Sequence, residues 1–310
     1  MRLFLLSAAI SVGLAGFGSS SRAGDFVSAV PSYSEGSFAT VGGSHFTTTS
    51  AALNKPGPIV GAGSGFDGVL TPFNSHFEVD HLVAFGLGGN ITLQFPTAMG
   101  VTGTPQIGIF TNAAFVDANY PNGFAGATAT TGAMDEYGAE RTARVEVAKT
   151  PGDFRSLGRV VFDDPSNYYA NANGPYQYPA PDPATLASFD QSFAASPSDF
   201  NNKDFAGVMS VLDGSAGGTW LTIPLALGLD QVQYVRLSDP KWKLPDGSLV
   251  DLRPSQYFPP PNEFIKPADL FIDGAVLIPE PGCLALAATA ILAASRRSGA
   301  TRAVRPCVAV

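Results

Sequence analysis

Between Gly24 and Pro281 the chain has no cysteine; its two, Cys283 and Cys307, lie beyond that stretch. Disulfide staples, thiolate zinc sites, iron–sulfur clusters and cysteine nucleophiles are thereby excluded from the stretch, and its stability must come from a packed core. Charge is also scarce, at 14% of 310 residues, against a usual ~25%. Histidine is scarcer still, at His45, His76 and His81. No phosphate loop and no dinucleotide fingerprint occurs. Ser64 and Ser215 have glycines nearby, but neither has Gly at both the −2 and +2 positions of a nucleophile elbow.

What is abundant is apolar and turn-forming: 45% hydrophobic residues, with 34 Gly, 25 Pro and 22 Phe. Such a composition can bury a core and, with little charge, points to an all-β extracellular type. Runs rich in β-branched and aromatic residues, bounded by Gly, Pro, Asn or Asp, predict strands at 81–87, 90–95, 106–110, 140–148, 158–163, 219–225, 231–237 and 270–278. Leu87-Gly88-Gly89-Asn90 reads as a hairpin turn between the first two. In the strand at 140–148, Ala143, Val145 and Val147 face the core while Thr142, Arg144 and Glu146 face out. One helix is expected, with Asp182 as N-cap, Pro183 at its first position, and Leu186, Phe189 and Phe193 on one face. It lies in a Pro-, Asn- and Tyr-rich insertion over about 165–202. The fold expected is a single antiparallel β-sandwich of jelly-roll type over 24–278.

The two ends differ from this domain. Residues 1–23 read as a signal peptide: Arg2 is the positive start, Leu3 to Phe17 are apolar apart from Ser7 and Ser11, and Ser21-Arg22-Ala23 supplies small residues for cleavage before Gly24. At the other end Pro279-Glu280-Pro281 is followed by the apolar run Gly282 to Ala294, by Arg296-Arg297, and by Arg302 and Arg305. That order resembles the PEP-CTERM sorting signal. The resemblance implies an inner-membrane intermediate from which an exosortase releases the protein at Pro279-Glu280-Pro281, with Arg296 and Arg297 stopping transfer. Prolines flanking Glu280 keep the tripeptide extended and accessible. The apolar run, roughly 21 Å as a helix, falls short of a ~30 Å hydrocarbon core, so anchoring needs bilayer thinning or arginine snorkelling. A plain anchor without processing is the alternative. An N-terminal signal helix and a C-terminal membrane helix thus flank the expected sandwich.

The segments Gly88-Gly89-Asn90-Ile91-Thr92-Leu93-Gln94-Phe95, Ile109-Phe110-Thr111-Asn112, Ala139-Glu140 running into Val145-Glu146-Val147, Gln233-Tyr234-Val235-Arg236-Leu237 and Asp269 to Val276 are also family-like. They resemble a recurring β-sandwich of secreted PEP-CTERM and other bacterial surface proteins. That likeness implies a fold and a location, not a chemistry.

All 26 acidic residues but only 12 of the 18 basic ones fall within 24–281, a net charge of −14. That balance disfavours nucleic acid and polyanionic polysaccharide, which need basic patches, and is compatible with divalent cations. Calcium, a hard cation, would draw on Asp163 with Asp164, Asp135 with Glu136, or Asp269 with Asp273; the competing reading is that these acids shape turns. In the string from His76 to His81, a strand would align His76, Glu78 and Asp80 as transition-metal ligands or as a polar, solvent-facing edge. Tyr168, Tyr169, Tyr176 and Tyr178 in the insertion are candidates for stacking on neutral glycan or for packing over a sheet. The functional expectation is an exported, non-enzymatic surface or matrix protein that meets signal peptidase, exosortase and extracellular polysaccharide. A polysaccharide hydrolase is the alternative, with its carboxylate pair unassigned.

Overall fold

The structure, a computed structural model, describes residues 24–278 except 38–39, 42–43, 59–67, 77, 130–139, 194 and 252–269. The expected signal peptide at 1–23, the calcium candidates Asp135, Glu136 and Asp269, and the expected sorting residues Pro279, Glu280, Pro281, Arg296 and Arg297 lie outside the described residues. No helix among the described residues is long and apolar enough to cross a membrane.

In chain order the strands are β1 (Asp25–Phe26), β2 (Ala29–Ser34), β3 (Thr40–Val41), β4 (Ser44–His45), β5 (Val83–Phe85), β6 (Asn90–Gly100) and β7 (Gln106–Thr111). They continue with β8 (Glu140–Ala148), β9 (Arg155–Val161), β10 (Thr219–Thr222), β11 (Gln231–Lys243), β12 (Leu249–Asp251) and β13 (Leu270–Ile278). Two antiparallel sheets form the body. One runs β1-β13-β7-β10 with β5 also on β13, and the other runs β2-β6-β11-β8-β9 with β12 also on β11.

The sheets pack face to face because each strand presents alternate apolar side chains to the same core. Ile91, Leu93 and Phe95 of β6, Ala143, Val145 and Val147 of β8, and Val232, Val235 and Leu237 of β11 meet Val83, Phe85, Ile107, Ile109, Ile272 and Leu277 from the other sheet. Val232 and Val235 are three apart, out of phase for a strand; a bulge between Val232 and Tyr234 restores both to the inner face. Truncating a wholly buried ring such as Phe95 costs about 3–5 kcal/mol by the usual transfer and cavity terms.

Two expectations need correction. Leu87-Gly88-Gly89-Asn90 is a corner and not a hairpin, since β5 pairs with β13 in one sheet while β6 pairs with β2 and β11 in the other. The corner passes so close to the end of β2 that a Cβ on Gly89 would lie 2.5 Å from the Glu35 carbonyl oxygen. The segment after Asp182 is extended: Ala170 N–H donates to Thr185 O and Ala187 N–H to Tyr168 O, and Leu186 bridges to Tyr169. Pro179, Pro181 and Pro183 each bias the preceding residue away from helix, and these pairings take the backbone groups a helix would have used. The α-helix is instead α1 (Phe205–Leu212), capped by Asp204, whose side chain accepts from Gly207 N–H.

Every residue of β13 is buried, unlike those of the alternating strands. The insertion covers one end, and Phe46 with Leu82 covers Phe271 at the other. Phe189, Ala187 and Ala216, with Tyr168 and Trp220, pack on Phe110, Val276 and Ile278, so the outer face of the five-stranded sheet is covered. A further cluster joins Phe205, Val208 and Leu212 of α1 to Phe73, Phe115 and Phe200. Among the described residues, nothing comparable covers the outer face of the six-stranded sheet around Arg144 and Arg236.

Candidate functional site

The open face is written by alternation. Residues that β2, β6, β11, β8 and β9 do not send to the core line up across the sheet as polar rows. One row runs Ser34, Asn90, Ser238, Arg144, Arg159, and the next runs Ser32, Thr92, Arg236, Glu146, Ser156. Where the rows meet the Gly88-Gly89 corner lies an open cleft of about 540 Å³, lined by Asn90, Arg144, Glu146, Arg236, Ser238 and Asp239 together with the two glycines.

Most charges here are fixed in pairs. Arg236 places Nε and Nη2 each 2.8 Å from Glu146 Oε2, and its guanidinium carbon lies 4.1 Å from the centre of the Phe154 ring. Arg159 is ion-paired to Asp239 and also donates to the Asp239 carbonyl at 2.7 Å and to Thr142 Oγ1 at 3.2 Å. Asp239, at φ +50°, occupies the irregularity between Ser238 and Lys241 that turns the end of β11 and sets its carboxylate at the rim. Lys241 and Lys243 of the same sheet pair with Asp251 and Glu140. Arg144 is exposed and, among the described residues, has no carboxylate within ion-pair distance. The lining offers both kinds of hydrogen-bonding group: amide and hydroxyl at Asn90 and Ser238, donors on the arginines, acceptors on Glu146 and Asp239.

The calcium candidates separate. Asp163 and Asp164 follow β9 as expected at a strand end. Burial pushes the Asp163 carboxyl up to about 7, against the pull of the Arg141 guanidinium and with the help of Glu140. Burial pushes Asp164 up to about 6, and a 3.2 Å hydrogen bond from Thr219 Oγ1 pulls the other way. Neither oxygen of Asp163 completes a well-formed hydrogen bond. Asp273 is not available to a hard cation. It is 1% exposed, with Oδ2 3.0 Å from His76 Nε2, and His81 adds a second favourable charge against the burial that raises its carboxyl. Among the described residues no three His, Cys, Asp or Glu side chains form a metal-binding group.

The histidine string is likewise reassigned. Residues 78–81 form a turn closed by His81 N–H to Glu78 O. His76 is wholly buried, so it is neither an edge residue nor aligned with Asp80.

The four tyrosines divide by exposure. Tyr169 is buried and Tyr168 packs edge-on against it and against Phe189, so these two rings cover the sheet and offer no stacking surface. Tyr176 is half-buried, donates to Asp117 Oδ2 at 3.3 Å and packs on Tyr120. Tyr178 is 75% exposed, and Tyr120, which sequence reading passed over, is 64% exposed.

The signal that was available for the open face is the outward pair Arg144 and Glu146; Thr142, expected with them, is buried under Arg159 with its hydroxyl bonded to Lys241 O, and the neighbours on β6, β9 and β11 come from strand order, which alternation does not encode. Comparison with protein-family models, curated proteins and solved structures finds no match to this chain.

Proposed function

We propose that the chain is an exported protein of the cell surface or extracellular matrix whose sandwich, of jelly-roll type, holds glycan without cutting it. A signal peptide at 1–23 and a PEP-CTERM tail, in which an apolar helix precedes Arg296 and Arg297, direct its export and its release by exosortase. The order Pro-Glu-Pro, apolar run, arginine cluster supports the sorting half of this reading. Intact mass of the form secreted by the native host tests it. The expected species begins near Gly24 and ends close to Pro279-Glu280-Pro281, whereas a mass that still contains Arg296 and Arg297 makes the tail a permanent anchor.

The observation that carries the binding half is the contrast between the sheets among the described residues: one is covered on both faces, while the other presents an open, hydroxyl-matching cleft. Hydrolysis is disfavoured by the same geometry. A glycosidase needs one carboxyl with a proton to give and a second facing the sugar, and here Glu146 and Asp239 each accept from an arginine. In affinity electrophoresis through neutral polysaccharide, the full chain should be retarded. Replacing Asn90 and Ser238 together with Ala should weaken that retardation by about fivefold or more, the worth of one or two hydrogen bonds. Loss of retardation in Tyr178→Ala instead would move the site to the insertion, and release of reducing sugar would replace binding by hydrolysis.

A further inference from the structure

We infer that this cleft selects glycans carrying isolated carboxylates, uronic acid units among neutral sugars, and that Arg144 is the residue that reads the carboxylate. The inference rests on the glycan-binding reading and names the ligand class for the same site.

Whole-chain charge points the other way, since 24–281 carries a net −14. The fold redistributes that charge. Arg141, Arg144, Arg155, Arg159, Arg236, Lys241 and Lys243 all lie on the three adjacent strands β8, β9 and β11. Among the described residues at the cleft and its flank, three guanidiniums (Arg144, Arg159 and Arg236) stand against two carboxylates (Glu146 and Asp239), a local excess of one positive charge. That excess sits on Arg144.

Arg144 is also placed at a cost. It lies directly opposite Arg159 in the β8–β9 register, and like charges in that position repel. Arg159 is relieved by Asp239; Arg144 has no such partner among the described residues. A bound carboxylate would supply the missing counter-charge. The guanidinium fork matches a carboxylate with two parallel N–H···O bonds. Ser238, beside Arg144 across the β11–β8 pairing, and Asn90 beyond it can bond the ring hydroxyls next to that carboxylate. The surrounding net negative charge sets the class: a densely charged polyanion is repelled by the rest of the domain, whereas one carboxylate among neutral sugars is not.

The test uses the full chain and two matched probes, cellobiose and the disaccharide in which one glucose is replaced by glucuronate, titrated calorimetrically. The acidic disaccharide should bind about tenfold more tightly than cellobiose, and the preference should shrink as salt rises from about 0.05 M to about 0.5 M. Arg144→Gln should abolish the preference, so that the two disaccharides bind with equal affinity, and leave the unfolding midpoint the same or slightly higher because the repulsion with Arg159 is gone. Arg144→Lys, which keeps the charge and loses the fork, should retain part of it. Equal binding of both sugars, or a preference that survives in Arg144→Gln, overturns the inference and leaves the glycan reading standing. Binding of neither sugar removes both. Inorganic phosphate displacing the acidic disaccharide at lower concentration than free glucuronate does would make the site a phosphate site and also overturn it.

Discussion

Raising the pH from about 5 to about 8 should lower the unfolding free energy by about 4 kcal/mol through Asp163 and Asp164 alone. Both carboxyls are held up by burial, to about 7 and about 6. In the unfolded chain they titrate near an ordinary ~3.9. A group raised in this way binds a proton in the folded state that the unfolded chain has already lost. Its contribution is therefore complete below about pH 4 and disappears as pH rises through the folded value. Asp163, with the higher value, accounts for about 3 kcal/mol of the change over this range and Asp164 for about 1. In a protein of this size the sum corresponds to a fall of roughly 10 °C in midpoint. Other groups titrate over the same range, so the decisive quantity is the difference between wild type and Asp163→Asn in urea unfolding at each pH. The variant should lose about 3 kcal/mol less than wild type between the two pH values; parallel curves would show that the Asp163 carboxyl is not desolvated.

His76→Leu should destabilise the fold by about 3–5 kcal/mol near neutral pH, the usual result of removing one member of a buried ionisable pair. His76 and Asp273 are both essentially inaccessible, with Nε2 and Oδ2 3.0 Å apart. Removing the imidazole leaves a carboxyl in the middle of β13 with only His81 to offset its burial. Its proton affinity then rises further, so the penalty should be smaller near pH 5 than near pH 8, by the same linkage as above. Asp273→Asn in the same background should recover at least ~1 kcal/mol, since the amide carries no charge to strand. Two single-variant losses that simply add, within ~0.5 kcal/mol, would show that the pair is not coupled.

The sequence disclosed the parts of this fold that depend on one strand at a time. The expected limits of 140–148 and 270–278 coincide with Glu140–Ala148 and Leu270–Ile278, and the inward set Ala143, Val145, Val147 is buried as the alternation requires. What it concealed depends on partners. Gly88-Gly89 resembles a hairpin turn because the dipeptide satisfies turn geometry equally well when the flanking strands join different sheets. The Asp182-Pro183 start looked helical because caps are local signals, while the pairing of 168–170 with 185–187 that overrides it is not. The apolar run of α1, interrupted by Gly207, carries too little periodicity over eight residues to stand out. For the site, the polarity of Arg144 and Glu146 was readable, but the repulsive Arg144–Arg159 register and the Arg159–Asp239 pair were not, because they link residues from separate strands.

The pairing of β1 with β13 has a consequence for the order of events in synthesis. Asp25 lies opposite Leu277 and Phe26 opposite Val276, so the first and last strands described are neighbours. The last strand is also the hub of its sheet, holding β1, β5 and β7 together. A chain made N-terminus first cannot close that sheet until nearly all of it has emerged. Completion of the sandwich is thus vectorially delayed, and the half-made domain spends synthesis with β1, β5 and β7 awaiting the strand that joins them.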